Sequence, residues 1–550
     1  MPTIEMSKKD FEKLVGKKFS KEDLERTLMF VKGEIDSEDG DTLKLDVKET
    51  NRPDLWSTEG IAREILARIG KEKGIRKYKT QKSGIRVFVD KNLEKVRPLI
   101  ACAVVENVKV DNNFIIQMVQ LQEKVGETFG RKRKETGIGL YDLDIMTPPI
   151  YYKGYKDTDI EFVPLEWKVP MRPTEILLQH EKGKAYKHLL ENVSVYPIVI
   201  DSENIVASMP PIINSEKTGK VTEKTKNLFI EVTGFSWLTV ETALEVMCMA
   251  LADRGGKIKT VEVNFPEGKT YPGRKVNTPE FKTEKLSLDT NLFNEMSGLN
   301  ISNSVLKKLF ESARYNASVS KNRTIVEYPS YRQDIFHGVD VVEDALISYG
   351  YDKISPQKIE LNVIGKSLEE FDFLENIRDG AIGLGLQEIL TFNLTSKIAQ
   401  NDNLFLKEEF VEINNPLSNN YEIFRKRLLP NLLMFLAKNK DKEFPQKIFE
   451  IGSCLELNSK EDNGVKQSNH ICVVSSHSNT NFTEIKSILV SLCAYLGFSL
   501  TVKKKQFAFL EENSAEIIVN GKKGFIGELK KEVEEKFSLK KPVIVLEFEL

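Results

Sequence analysis

The stretch Tyr331–Tyr351 reads YRQDIFHGVDVVEDALISYGY. Asp340, Glu343 and Asp344 stand at i, i+3 and i+4, so a helix over this segment puts three carboxylates on one face. Asp334 lies just ahead of that helix and can fold back toward it. Like charges this close are costly unless something cationic sits among them. A hard, oxygen-loving ion, Mg²⁺ or Ca²⁺, answers that need. A solvated acidic face near a helix N-terminus, favoured by the helix dipole, is the other reading, and spacing alone does not choose between them.

Around this stretch, EKLSLDTNLFNEMSG and SNSVLKKLFESARY read as two short helices and TIVEYPSYRQDI as a strand and turn, which makes 270–355 a helical unit with a small β element. Upstream, 1–78 reads as a small α/β unit. In it Ser7 is a candidate N-cap with Asp10 three residues on, TLKLDV alternates as a strand, and Ile61, Ile65, Leu66 and Ile69 share an apolar helix face. The Lys- and Gly-rich run KEKGIRKYKTQKSG reads as a linker into 85–265. There strand-like runs (IRVFVD, LIACAVVENV, VYPIVIDS, NLFIEVTG, KIKTVEVNF) enclose helical segments near Phe114–Glu127 and Trp237–Asp253. A final unit, 365–550, alternates helices and strands and ends on PVIVLEFEL. The whole is a multidomain α+β chain.

Composition sets limits. With 40% hydrophobic and 29% charged residues and a net charge of −2 over 550 residues, the chain reads as a soluble globular protein that does not coat nucleic acid through bulk charge. Cys102, Cys248, Cys454, Cys472 and Cys493 form no C-x-x-C pair and read as free thiols of a reducing cytosol. His180, His188, His337, His470 and His477 show no ligand spacing. The N-terminus has no signal-peptide pattern, and the apolar stretch from Phe235 to Ala252 carries Thr239, Glu241, Thr242 and Glu245, which fits a buried helix better than a membrane span. There is no P-loop, dinucleotide fingerprint, H-E-x-x-H or G-x-S-x-G.

Two further segments carry polar groups. In MPPIINSEKTGKVTEKTKNLFIEVTG, a Pro-Pro turn, Asn214 and Ser215 on a loop, and Glu231 and Thr233 near a strand end gather hydrogen-bonding groups at one rim; an ordinary hairpin does the same. In GRKRKETGIGLYDLD, residues Arg131 to Lys134 could meet a phosphate backbone, although a charge run is more often a solvated face, and no aromatics interleave it.

Taken together and in order, these segments resemble the β subunit of phenylalanyl-tRNA synthetase of the archaeal and eukaryotic-cytosolic type. ETNRPDLWSTEGIARE is similar to the family's N-terminal signature, PPIINS and FIEVTG to its editing domain, and YPSYRQDIFHGVDVVEDALISYGY to its metal-binding helical domain. GLQEILTFNLTS, NNPLS, FRKRLLPNLL and GELKKEV resemble its class II synthetase-like antiparallel-sheet domain, within which Arg425 and Arg427 are candidates for phosphate contacts or for structural ion pairs. The bacterial long form has an added oligonucleotide-binding domain and an anticodon-contacting domain, for which this length leaves no room. Asn431 stands where the family often has glycine.

The resemblance implies a cytoplasmic ligase of two α and two β chains. The α subunit makes phenylalanyl-adenylate from ATP and phenylalanine and transfers it to tRNA(Phe). The β subunit completes the assembly, helps hold tRNA, binds Mg²⁺ through Asp334, Asp340, Glu343 and Asp344 at a site that could be shared with the α chain, and hydrolyses mischarged tyrosyl-tRNA. A β subunit that binds tRNA or partner but has lost editing is the alternative. Editing has a physical motive, because an apolar pocket rejects an added hydroxyl only about 10²-fold. A second pocket whose polar groups go unpaired with phenylalanine would penalise that side chain by roughly 1–3 kcal/mol. Asn214, Ser215, Glu231 and Thr233 are the candidate groups, with Glu231 accepting the phenolic proton.

Overall fold

Helix Thr58–Arg68 explains why the first half of the chain does not divide as the sequence suggests. Ser57 caps it, its hydroxyl accepting the Gly60 N–H at 3.0 Å. Its apolar face is buried, but so are Glu59, Arg63 and Glu64 on its polar face. Arg63 pairs with Asp253 at 2.6 Å, Arg68 with Glu64 at 2.9 Å, and Glu59 with Arg254. Buried charges are tolerated when paired in this way. The helix thus packs on neighbours from three sequence segments at once.

The computed structural model describes residues 2–358 and 363–550, and it separates into two compact units, Met1–Gln357 and Lys358–Leu550. The segments expected as 1–78 and 85–265 share one hydrophobic core, from Ile4 through Phe265.

The first unit is built on three sheets. Strands Thr3–Ser7, Thr42–Val47 and Gly33–Asp39 form an antiparallel sheet with Thr42–Val47 central. Ser7 caps helix Lys8–Val15, accepting the Asp10 N–H at 3.1 Å as expected. The second sheet is mixed, in the order Ile213–Asn214, Val206–Met209, Tyr196–Ile200, Ile150–Tyr155, Gln81–Val89, Lys257–Asn264, Leu99–Glu106, Leu228–Gly234, Thr136–Asp142, with Lys275–Thr278 beside Lys257–Asn264. Two of its pairings are parallel. Helix Trp237–Asp253, buried almost throughout, packs on Leu99–Glu106 and Leu228–Gly234. The third sheet, Thr283–Leu288, Thr324–Pro329 and Asn316–Val319, supports helices Leu292–Ser297, Asn303–Ser312 and Gly338–Tyr349. EKLSL is therefore a strand rather than the start of a helix; it pairs along the length of Thr324–Pro329.

The second unit holds a seven-stranded sheet, Gln387–Glu388, Gln446–Leu457, Val465–Ser476, Val543–Glu549, Lys522–Leu529, Leu510–Val519, Leu500–Lys504, antiparallel apart from its first pairing. Alternation buries both faces. Phe449, Ile471 and Leu546 meet helices Glu369–Gly383 and Phe482–Leu496, whereas Ile448, Val474 and Val545 meet helix Leu429–Lys438.

Candidate functional site

The large mixed sheet curls until the ends of its strand order meet. The Asn214 amide donates to the Leu140 carbonyl at 3.3 Å, and the Asp142 N–H to the Thr218 carbonyl at 2.9 Å. A cavity of about 380 Å³ opens there, lined on its apolar side by Phe114, Met118, Ile138, Leu140, Pro211 and Ile212. Its polar lining includes Asn214 and Glu231.

Glu231 sits at the middle of strand Leu228–Gly234, paired with Cys102 on one neighbour and Gly139 on the other, and is 2% exposed. One carboxylate oxygen, Oε1, lies 2.9 Å from the Tyr141 hydroxyl, which is in turn 2.7 Å from the Ser208 hydroxyl. The phenol has a single proton, so it donates to one neighbour and accepts from the other. The second oxygen, Oε2, is buried without a hydrogen-bond partner. Burial pushes the Glu231 carboxyl up to about 7, against the opposing pulls of the Tyr141 hydrogen bond and the Arg97 charge. A side chain at Gly139 would put its Cβ 2.0 Å from the Tyr141 hydroxyl oxygen and 2.7 Å from Glu231 Oε1, so only glycine leaves room for this pair.

The other two expected residues are elsewhere. Thr233 faces Arg97, whose guanidinium donates to its hydroxyl at 2.9 Å and its carbonyl at 2.6 Å. Ser215 is buried 3.0 Å from the Thr218 hydroxyl, bracing the loop. Neither lines the cavity. The basic run contributes a wall residue: Arg133 donates to the Pro211 and Ile212 carbonyls at 3.2 and 3.0 Å, pairs with Glu123 at 2.8 Å, and lies 4.3 Å from the Tyr186 ring centroid. Arg131, Lys132 and Arg133 all have positive φ, at 48°, 54° and 61°, which costs non-glycine residues on the order of 1 kcal/mol each.

The carboxylates of Tyr331–Tyr351 are answered differently than expected. Arg332 pairs with both Asp334 and Asp344, at 2.6 and 2.7 Å, and Asp344 also receives the Tyr315 hydroxyl at 2.6 Å and Arg68 at 3.4 Å. Burial alone would raise Asp344, but the guanidinium groups of Arg332, Arg68 and Arg52 outweigh it and hold the carboxyl well below the usual carboxylate range. Asp340 caps its own helix, accepting the Phe336 and His337 N–H groups at 2.8 and 2.7 Å, and Glu343 pairs with Lys32 at 2.7 Å. No three of these carboxylates bring oxygens within 4.8 Å of one another. As they stand, Asp334, Asp340, Glu343 and Asp344 do not fit a single Mg²⁺ ion, because the cation among them is arginine. In the second unit Arg425 and Arg427 are ion-pair partners, of Glu450 and Glu408, each at 2.6 Å.

A model of the phenylalanyl tRNA synthetase beta chain CLM domain matches residues 355–550, and one of the tRNA synthetase B5 domain matches residues 286–351. The phenylalanine–tRNA ligase beta subunit of Pyrococcus horikoshii is 42% identical, with 100% of this chain and 98% of that protein covered. The chain belongs to the phenylalanine–tRNA ligase beta-subunit family. The beta subunit of Thermococcus sibiricus is 41% identical with the same coverage. A crystal structure of an N-terminal fragment of the Pyrococcus horikoshii beta subunit superimposes with a TM-score of 0.61 at 45% identity, over 64% of this chain and 100% of the fragment. Tyr141, Ser208 and Gly139, which surround the Glu231 carboxylate, were not singled out from the sequence. The signal was present in TGIGLYD, whose glycines and alternation mark a strand that the preceding charge run obscured.

Proposed function

We propose that this beta subunit supports the charging of tRNA(Phe) by an α subunit and removes tyrosine from mischarged tRNA in the cavity above Glu231. The buried, unpartnered Oε2 of Glu231 carries this reading. An orphaned acceptor at an apolar cavity is stabilised by a ligand that brings a hydroxyl donor and is left unsatisfied by one that does not. Tyrosine and phenylalanine differ by that group. Asn214 and the backbone at Pro211–Ile213 surround the same space, so water positioned by backbone and substrate is the hydrolytic scheme that the lining supports. Lys182 and Lys220 on the lining suit an approaching phosphate.

The reading includes a cytoplasmic complex of two α and two β chains, with ATP and phenylalanine handled by the α subunit. Its support is the second unit, where Leu390, Phe392, Leu417 and Tyr421 are exposed. Large exposed apolar side chains grouped in sequence suit a partner surface. Mg²⁺ belongs to the reading only as a constituent of the assembly, with Asp340 and Glu343 contributing beside groups of the partner.

The test is deacylation of preformed tyrosyl-tRNA(Phe) by the wild-type and Glu231→Ala complexes. A hydrogen bond to a charged group is worth about 1.5–3 kcal/mol, so the variant should be slower by roughly 10- to 150-fold, with phenylalanine charging intact. Equal rates would remove Glu231 from the selection. A wild type without deacylation would favour a beta subunit that binds and assembles but does not edit.

A further inference from the structure

The sheet of the second unit carries a side-chain cluster that neither charging nor editing uses. Cys454 pairs across the ladder with Ser468, His470 stands two residues along the same strand, and Glu547 faces Cys472 on the next strand. Strand alternation places all of them on one face. The Cys454 sulfur, a ring nitrogen of His470 and a carboxylate oxygen of Glu547 lie within 4.8 Å of one another, the one such trio of Cys, His or acidic groups among the described residues.

His470 and Glu547 are held by hydrogen bonds. His470 Nδ1 is 3.1 Å from Glu547 Oε1, while its Nε2 is 3.1 Å from the Ser468 hydroxyl. The Leu428 and Leu429 N–H groups donate to the two Glu547 oxygens, each at 3.0 Å. Metal-binding histidines are held in this manner, one nitrogen on the ion and the other hydrogen-bonded outward, and ligating carboxylates are themselves hydrogen-bonded. The three groups line a cavity of about 300 Å³ shared with Arg427, Lys523 and Phe525. Cys454 and Glu547 are buried and His470 is half-buried at its wall. A thiolate and an imidazole select a borderline-soft ion over Mg²⁺.

We infer that Cys454, His470 and Glu547 form a site for a thiophilic divalent cation of the Zn²⁺ type. Three protein ligands leave the fourth tetrahedral position facing the cavity, open to water or a small ligand. The thiol gives up its proton on binding. The ion joins strands Gln446–Leu457, Val465–Ser476 and Val543–Glu549 through their side chains, at the place where helix Leu429–Lys438 begins.

The probe is Co²⁺, added to the chelator-stripped full chain co-purified with its α subunit, with substitutions in the beta chain only. Wild type should take up a Co²⁺ that gives a thiolate-to-cobalt charge-transfer band in the near ultraviolet, and Zn²⁺ should abolish that band. Cys454→Ser should lose the band. His470→Asn, at a half-buried position that tolerates change, should weaken binding by about tenfold or more. Cys493→Ser, on the opposite core face, should leave the band unchanged. If Cys454→Ser fails to fold, His470→Asn decides. A wild type without the band, or a band that persists at full strength in His470→Asn, overturns the site and identifies the cluster as a core thiol beside an ordinary His–Glu pair.

Discussion

Tyr141 and Glu231, on neighbouring strands, share a hydrogen bond of 2.9 Å that occupies one carboxylate oxygen and leaves the other without a partner. The position of the Glu231 titration follows from this pair. With its carboxyl raised to about 7, Glu231 is the acceptor above that pH and is protonated below it. Hydrolysis of tyrosyl-tRNA(Phe), corrected for spontaneous deacylation, should therefore rise between about pH 6 and 8 and then level. In Glu231→Gln the enzyme-dependent inflection should vanish; a profile of unchanged shape would show that another group titrates.

Tyr141→Phe removes the bond that lowers Glu231, so the inflection should move to higher pH while the cavity keeps its shape. Burying the hydroxyl's former partners unsatisfied costs about 1–3 kcal/mol. Thermal unfolding should show that loss, and the pH profile of deacylation should shift with it. A destabilised variant whose inflection stays in place would make Tyr141 structural only.

Glu245, on helix Trp237–Asp253, has a buried Oε1 without a hydrogen-bond partner, and burial first, then Glu241, pushes its carboxyl up to about 9. The folded state favours the protonated form, so stability is fullest below the unfolded value near 4.5 and falls as pH rises toward 9. At pH 7 the cost is at most about 3 kcal/mol, at 1.36 kcal/mol per pKa unit. Glu245→Gln should raise the melting temperature at pH 7–8 and make no gain near pH 4. A gain independent of pH would point to packing instead.

Arg332 is the cation that Asp334 and Asp344 share. Arg332→Met should strand two carboxylates and destabilise the chain by about 3–5 kcal/mol, as breaking a buried pair does. Chemical denaturation measures it. A loss below about 1 kcal/mol would mean that another cation takes its place, and elemental analysis for Mg²⁺ would then be the deciding measurement.

The exposed Phe392 and Leu390 supply the fifth test. Phe392→Asp should leave the isolated chain folded and reduce its co-purification with the α subunit, read by light scattering. Undiminished assembly would move the partner surface elsewhere.

The sequence disclosed the elements better than their company. Ser7 was legible as a cap because a cap is a local arrangement. Glu231 and Asn214 were legible as cavity groups because both stand beside turn and strand signals. Thr233 has the same local signature as Glu231 and, two residues on, shares its strand face, but it lies beyond the cavity lining, against Arg97, which is 136 residues away in sequence. The carboxylates of Tyr331–Tyr351 showed that a positive charge was required. Arg332, within the same stretch, supplied it, whereas Arg68 and Lys32 came from segments that nothing in the local pattern connects.

Helix Thr58–Arg68 has a consequence for modularity. Lacking a water-facing side, it can be neither excised nor exchanged alone: deleting 1–78 would leave Asp253, Arg254 and Asp344 short of counter-ions and open a trench in the remaining core. The first unit should thus melt in one transition and resist being trimmed to a stand-alone fragment around the Glu231 cavity, and in any chimera it has to be transplanted whole.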